Sequence, residues 1–157
     1  MDHLTIARAL HVLAVLHWIG GVTFVTLVLL PYVTRELPPH ERLDVFEQIE
    51  GRFANQARVS TLIAGAAGFY LTHALNAWDR FLHPAQFWWM HAMALVWALF
   101  TAMLFVAEPL FLHRWFRTQA AHDPDGTFKL VQRMHWGLLS ASLLTIAGAM
   151  LGAHGGI

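Results

Sequence analysis

Apolar positions along this chain do not recur at the spacing of a water-soluble core. They collect in four long runs, residues 4–30, 54–78, 87–112 and 128–153. Each run is long enough to cross a hydrocarbon layer of about 30 Å as a helix. The pattern predicts an all-α integral membrane protein, an up-down four-helix bundle forming a single transmembrane domain over 1–157. Between the first two runs, LPPHERLDVFEQIEGRF (37–53) changes period. Pro38 and Pro39 mark a helix start, and Leu43, Phe46, Ile49 and Phe53 then recur every three or four residues among charges. That spacing predicts a short amphipathic helix on the cytoplasmic membrane surface. DPDG, residues 123–126, predicts a turn before the last run. Gly20, Gly21, Gly65, Gly68 and the pair Gly148 and Gly152 mark places where helices can approach closely. Packing is the plainer account of them, and room for a flat cofactor is the other.

Arg8 ahead of an apolar stretch also fits a signal peptide. The run is longer than a typical signal core and no A-x-A-like site follows it, so a retained helix is expected. Lysine and arginine set the orientation. Arg35, Arg42, Arg52 and Arg58 lie in or beside the first connection, and Arg114, Arg117, Lys129 and Arg133 in or beside the third. The N-terminus offers Arg8 and the second connection Arg80. The positive-inside rule then puts connections 1 and 3 in the cytoplasm and both termini in the periplasm of a bacterial inner membrane.

Composition narrows the chemistry. There is no cysteine, which excludes a disulfide, a thiolate metal site, an iron–sulfur cluster and covalently attached haem. Ten basic residues balance ten acidic ones without a basic patch, so a nucleic-acid partner is not expected. The eleven histidines are the main chemical resource.

With this topology each histidine acquires a depth. His11 lies about 9 Å inside the start of run 1, counted at the helical rise, and His91 enters run 3 from the same side. His73 lies near the outer end of run 2 and His154 just past the outer end of run 4. Four runs therefore each direct one histidine towards a periplasmic layer. Intramembrane ionisable groups are functional candidates, more so when several converge. His11 and His91 are the primary ligand candidates, with His73 and His154 a further ligand set or merely interfacial. His17 sits about 120° around the helix from His11 and about 9 Å deeper. It and His135 are secondary candidates: a second site, a proton route, or interhelical hydrogen bonds, the last favoured. His3, His40, His83, His113 and His122 fall in connections or at interfaces and are read as surface residues. Arg8, one turn before His11, is placed to meet a porphyrin propionate or to snorkel. Glu108 beside Pro109 is expected to pair with Arg58 or a neighbouring arginine.

Two histidines on facing helices are a common way to hold non-covalent haem. Trp18, Phe87, Trp88, Trp89 and Trp97 surround the proposed layer, although an interfacial aromatic belt is the favoured account of Trp88 and Trp89. Copper is the rival metal, since Met90 and Met93 flank His91. A zinc site would want histidines at closer spacing on one helix.

ALHVLAVLHWIGGVTFVTLVLLP, residues 9–31, resembles the first helix of the copper-resistance protein D (CopD) family. It also resembles that of the HemJ-type protoporphyrinogen oxidases, and FEQIEGRF, 46–53, resembles the stretch before their second helix. The resemblance covers the helix order over most of the chain, with its sharp motif in the first helix. It implies haem b on His11. Where those families carry a lysine early in the third helix this chain has His91, and QRMHWG, 132–137, replaces the HemJ Arg and Asn-Glu-x-Pro pattern. These departures favour a six-coordinate haem b moving electrons to or from a partner protein or quinone. Copper handling and HemJ-like porphyrinogen oxidation are the alternatives, enzyme or carrier is left open, and a homo-oligomer is compatible.

Overall fold

The protein is described by a computed structural model covering residues 2–155. Met1, Gly156 and Ile157, and so both ends of the expected 1–157 domain, lie outside the described residues. The fold is all-α, with no strand among the described residues. Its four main helices are α1 (His3–Glu36), α2 (Pro39–Ala74), α3 (Trp88–His122) and α4 (Pro124–Ala153). A single 3₁₀ segment, Trp78–Leu82, lies between α2 and α3. α1, α3 and α4 are long and apolar enough to cross a membrane; α2 is not among them. Its first half is studded with charges up to Arg58, and its buried stripe of Ala54, Ala57, Ser60, Thr61, Ala64 and Ala67 is small or polar.

Helix ends follow local chemistry. The Asp2 side chain accepts the Leu4 N–H and starts α1. Leu37, held extended by the following proline, ends it, and Pro39 supplies the first turn of α2. α2 closes through Asn76 at φ 50°, with the Asn76 N–H on the His73 carbonyl and the Ala77 N–H on that of Thr72. Asp123 alone separates α3 from α4: its carboxylate caps the Gly126 N–H, with Pro124 at the first helical position.

Two expectations are corrected here. The amphipathic stretch is not a separate surface helix but the first third of α2, continuous through Phe53 and Ala54. No proline or cap divides the two parts. The apolar face of the stretch packs into a core of Val25, Leu29, Leu30, Val33, Phe116 and Phe128 through Phe46, with Leu43 and Phe53 partly buried beside it, while Ile49 stays exposed. The predicted turn at 123–126 contracts to Asp123, because Asp-Pro begins a helix better than it bends a loop.

Neighbouring helices run in opposite senses. His11 meets Ala64, His17 meets Ser60, and Gly21 lies under the ring of Phe53. Trp97 meets Thr61, and Arg58 meets Glu108. Trp88 covers Gly148, while Phe116 meets Phe128. One end therefore gathers Arg42 with Asp125, Arg117 with Glu47, and the aromatic trio Phe46, Phe116 and Phe128. The other gathers His3 with Tyr70 and Trp89 over Gly152. The middle is a core of Trp18, Ile19, Val22, Ala54, Ala57, Phe100, Leu104 and Leu139.

Two of the long helices widen locally to i→i+5 pairing, over Val25–Leu29 in α1 and Met103–Leu112 in α3. In each, one carbonyl faces a proline across that spacing and has no N–H to accept. The Leu30 N–H reaches Val25, so the Thr26 carbonyl is left facing Pro31, and Gln132 of α4 donates to it at 2.9 Å. The Leu104 carbonyl faces Pro109, and Arg58 of α2 donates to it at 3.1 Å. A buried carbonyl must find a donor somewhere; here a neighbouring helix provides it.

Candidate functional site

His11 lies half-buried on the stripe of α1 that carries Ala7, Ala14, Trp18 and Val22. Its Nδ1 is 2.9 Å from the Ala64 carbonyl. A carbonyl only accepts, so Nδ1 carries the proton and Nε2 keeps its lone pair. The ring lies against Gly68, where a Cβ would stand 3.2 Å from Cε1. A backbone carbonyl on one nitrogen and a free lone pair on the other is how metal-bound histidines are oriented. The imidazole of His11 is thus held by one nitrogen and has the other available.

His17 is held similarly. Its Nδ1 is 2.9 Å from the Ser60 hydroxyl, which itself donates to the Gln56 carbonyl, so Nδ1–H donates and Nε2 is free. The angle of about 120° between His11 and His17 does not send them to different helices. Ser60 and Ala64 are one turn apart on α2, and each imidazole reaches α2 from its own flank.

His91 is placed differently. Nδ1 lies 3.1 Å from the Phe87 carbonyl and Nε2 3.1 Å from the Phe81 carbonyl, with the Phe81 ring edge-on at 5.2 Å between centroids. As it stands both nitrogens face oxygen acceptors and neither offers a lone pair to iron. His11 thus contacts α2, and His91 the connection before α3. His73 is exposed near the end of α2. His154 is exposed and bonded to the Met150 carbonyl one turn back. His135 bonds the Val131 carbonyl at 2.9 Å, within its own helix rather than across to another. Arg8 is exposed at the same end as His3. Among the described residues, no three His, Cys, Asp or Glu side chains are grouped to hold a metal ion.

The glycine seams are filled by aromatic rings. A Cβ on Gly65 would stand 2.6 Å from the Trp97 indole, and Gly148 and Gly152 lie beneath Trp88 and Trp89. Trp97, Trp88 and Trp89, expected around a cofactor, pack against these glycines, whereas Gly68 meets only the His11 ring.

A second polar locus lies towards the arginine-bearing end. Arg58 bonds Glu108 at 2.7 Å, the Asn55 side chain at 2.6 Å and the Leu104 carbonyl at 3.1 Å. Beside it Glu50, with Trp18, Phe53, Phe100 and His135, lines a partly open cavity of about 50 Å³. Glu50 was hidden in the sequence by its amphipathic surroundings. The signal was present, since residues 46, 50, 53 and 57 form one helical stripe, and a carboxylate there interrupts an otherwise apolar face.

Comparison with protein-family models, with curated proteins and with solved structures finds no match for this chain.

Proposed function

We propose that this chain is an integral membrane protein of the bacterial inner membrane, a four-helix bundle with both termini in the periplasm. In this reading it binds haem b through His11 and carries electrons to or from a redox partner, a protein or a quinone. The membrane part is supported by large aliphatic side chains directed outward, such as Leu16, Leu95 and Leu144, at 66%, 70% and 70% exposure. A water-soluble surface rarely carries them so densely. The orientation is supported by the gathering of Arg35, Arg42, Arg114 and Arg117 at the helix ends where Phe46, Phe116 and Phe128 meet. A periplasm-dependent reporter should work after Ile157 and fail near Asp125; the reverse result inverts the orientation.

The observation that carries the cofactor reading is the 2.9 Å contact of His11 Nδ1 with the Ala64 carbonyl. That carbonyl accepts the Nδ1–H hydrogen bond and holds the ring, Gly68 leaves room for its edge, and Nε2 keeps its lone pair. Haem, when bound, would supply one-electron chemistry at its iron. His91 is the second axial candidate, and taking that role requires its ring to leave the Phe81 carbonyl. Arg8, exposed at the same end, is available to a propionate.

The test is the optical spectrum of the purified protein, oxidised and then dithionite-reduced. A sharp Soret band with split visible bands on reduction is expected, lost in His11→Ala. If His91 completes the pair, His91→Ala leaves a high-spin, five-coordinate spectrum, and Arg8→Ala keeps the low-spin form with a shifted midpoint potential. A colourless protein carrying stoichiometric copper would replace this reading with copper handling.

A further inference from the structure

The partly open cavity between Trp18 of α1, Glu50 and Phe53 of α2, Phe100 of α3 and His135 of α4 plays no part in the haem reading. It holds about 50 Å³, room for one or two waters at roughly 30 Å³ each. Three of its walls carry polar atoms with nothing else to do. The Trp18 Nε1–H is buried without a hydrogen-bond partner. His135 donates its Nδ1–H to the Val131 carbonyl, leaving Nε2 as a free base. The cation nearest Glu50 is Arg58, whose three side-chain nitrogens are bonded to Leu104, Asn55 and Glu108. An orphaned donor, a carboxyl and a free imidazole nitrogen around a water-sized space are together a built site.

We propose that this cavity is a proton-binding site, in which an internal water accepts from the Trp18 N–H and links the Glu50 carboxyl to Nε2 of His135. When the carboxyl O–H breaks, its proton passes to the water, and the water gives one of its own protons to Nε2. Carboxylate and imidazolium result, and the reverse transfer restores the neutral pair. No electron moves and no co-reactant is consumed. The charged and titratable groups facing Glu50 are Glu47 and Arg58 on its own helix, Glu108 on α3 and His135 on α4. α1 contributes only Trp18, Val22 and Val25. Glu47, one turn nearer the polar end, holds Arg117 and lies 3.7 Å from His113, so exchange with water runs towards that end.

The site does not depend on haem, and its test reads a carboxyl rather than a chromophore. Infrared difference spectra of the full-length protein in lipid nanodiscs, titrated from about pH 5 to about pH 9, should show a protonated-carboxyl C=O band that disappears as pH rises. Deuterium oxide should shift it. Glu50→Gln should remove the band while Glu108→Gln retains it. His135→Asn should move its midpoint downward by about one pH unit, because the bound proton loses the carboxylate–imidazolium form that shares it. Trp18→Phe, which deletes only the N–H, should shift the band frequency with folding intact by circular dichroism. No titrating band, a band that survives Glu50→Gln, or a midpoint and frequency indifferent to His135→Asn and Trp18→Phe would each overturn the proposal.

Discussion

The widened turns of α1 and α3 solve one problem with different chemistry. Both expose a carbonyl whose partner in i→i+5 spacing is a proline, Thr26 against Pro31 and Leu104 against Pro109. In α1 the donor is the neutral amide of Gln132, and Thr26 is fully buried. In α3 the donor is a guanidinium, and the same side chain neutralises Glu108 at 2.7 Å. The first turn is a satisfied backbone defect. The second also places an ion pair beside the Glu50 cavity. A proline-widened turn is therefore no functional mark by itself; what matters is the charge recruited to repair it.

Removing the two donors should separate these cases. Arg58→Leu leaves both the Leu104 carbonyl and the Glu108 carboxylate without their partner. The pair is only about three-quarters buried, at 27% and 25% side-chain exposure, so a loss of about 3 kcal/mol is expected, the low end for a broken buried pair. Gln132→Leu strands one neutral carbonyl and should cost about 1–2 kcal/mol. Unfolding of both variants in mixed micelles measures the difference, and equal losses would erase the distinction. A smaller effect sharpens it. Pro31→Ala returns an N–H to the Thr26 carbonyl, so most of the Gln132→Leu penalty should vanish in that background. Pro109→Ala should relieve only the carbonyl share of the Arg58→Leu penalty, since Glu108 stays unpaired. Penalties unchanged by either alanine would mean that the prolines do not create the need.

The sequence made several parts of this fold legible. The apolar runs contain the middles of all four helices, Pro38–Pro39 starts one of them, and the Arg58–Glu108 pair follows from charge placement, whereas Asp123–Pro124, which reads as a turn, starts another. The helix ends were less visible. α1 runs on to Glu36 because its widened turn accommodates Pro31, and α3 to His122 because nothing in its polar end breaks a helix, whereas hydropathy reads only where lipid-like character stops. The site divides in the same way. His11 could be seen as an unusual group in an apolar run, but its carbonyl partner Ala64 lies far off in sequence, on another helix. His91 looked equivalent to His11 by depth. Its real surroundings depend on how residues 78–87 fold back, and no periodicity describes that path. Glu50 was readable in principle as a charge on the Phe46–Phe53 stripe.

The modest apolarity of α2 bears on how the chain is assembled. In the membrane reading, a helix with Arg58, Ser60 and Thr61 along its middle gains little from lipid as it leaves the translocon alone. α1 precedes it in synthesis and offers the surface to which His11, His17 and Gly21 belong. α2 can then enter as the second arm of a hairpin, its small and polar stripe already covered by α1. Insertion and tertiary contact become one event for this pair, whereas α3 and α4 can each partition on their own. A lesion in the seam between α1 and α2 would accordingly appear first as a protein threaded wrongly through the bilayer, before any folded form existed to be destabilised.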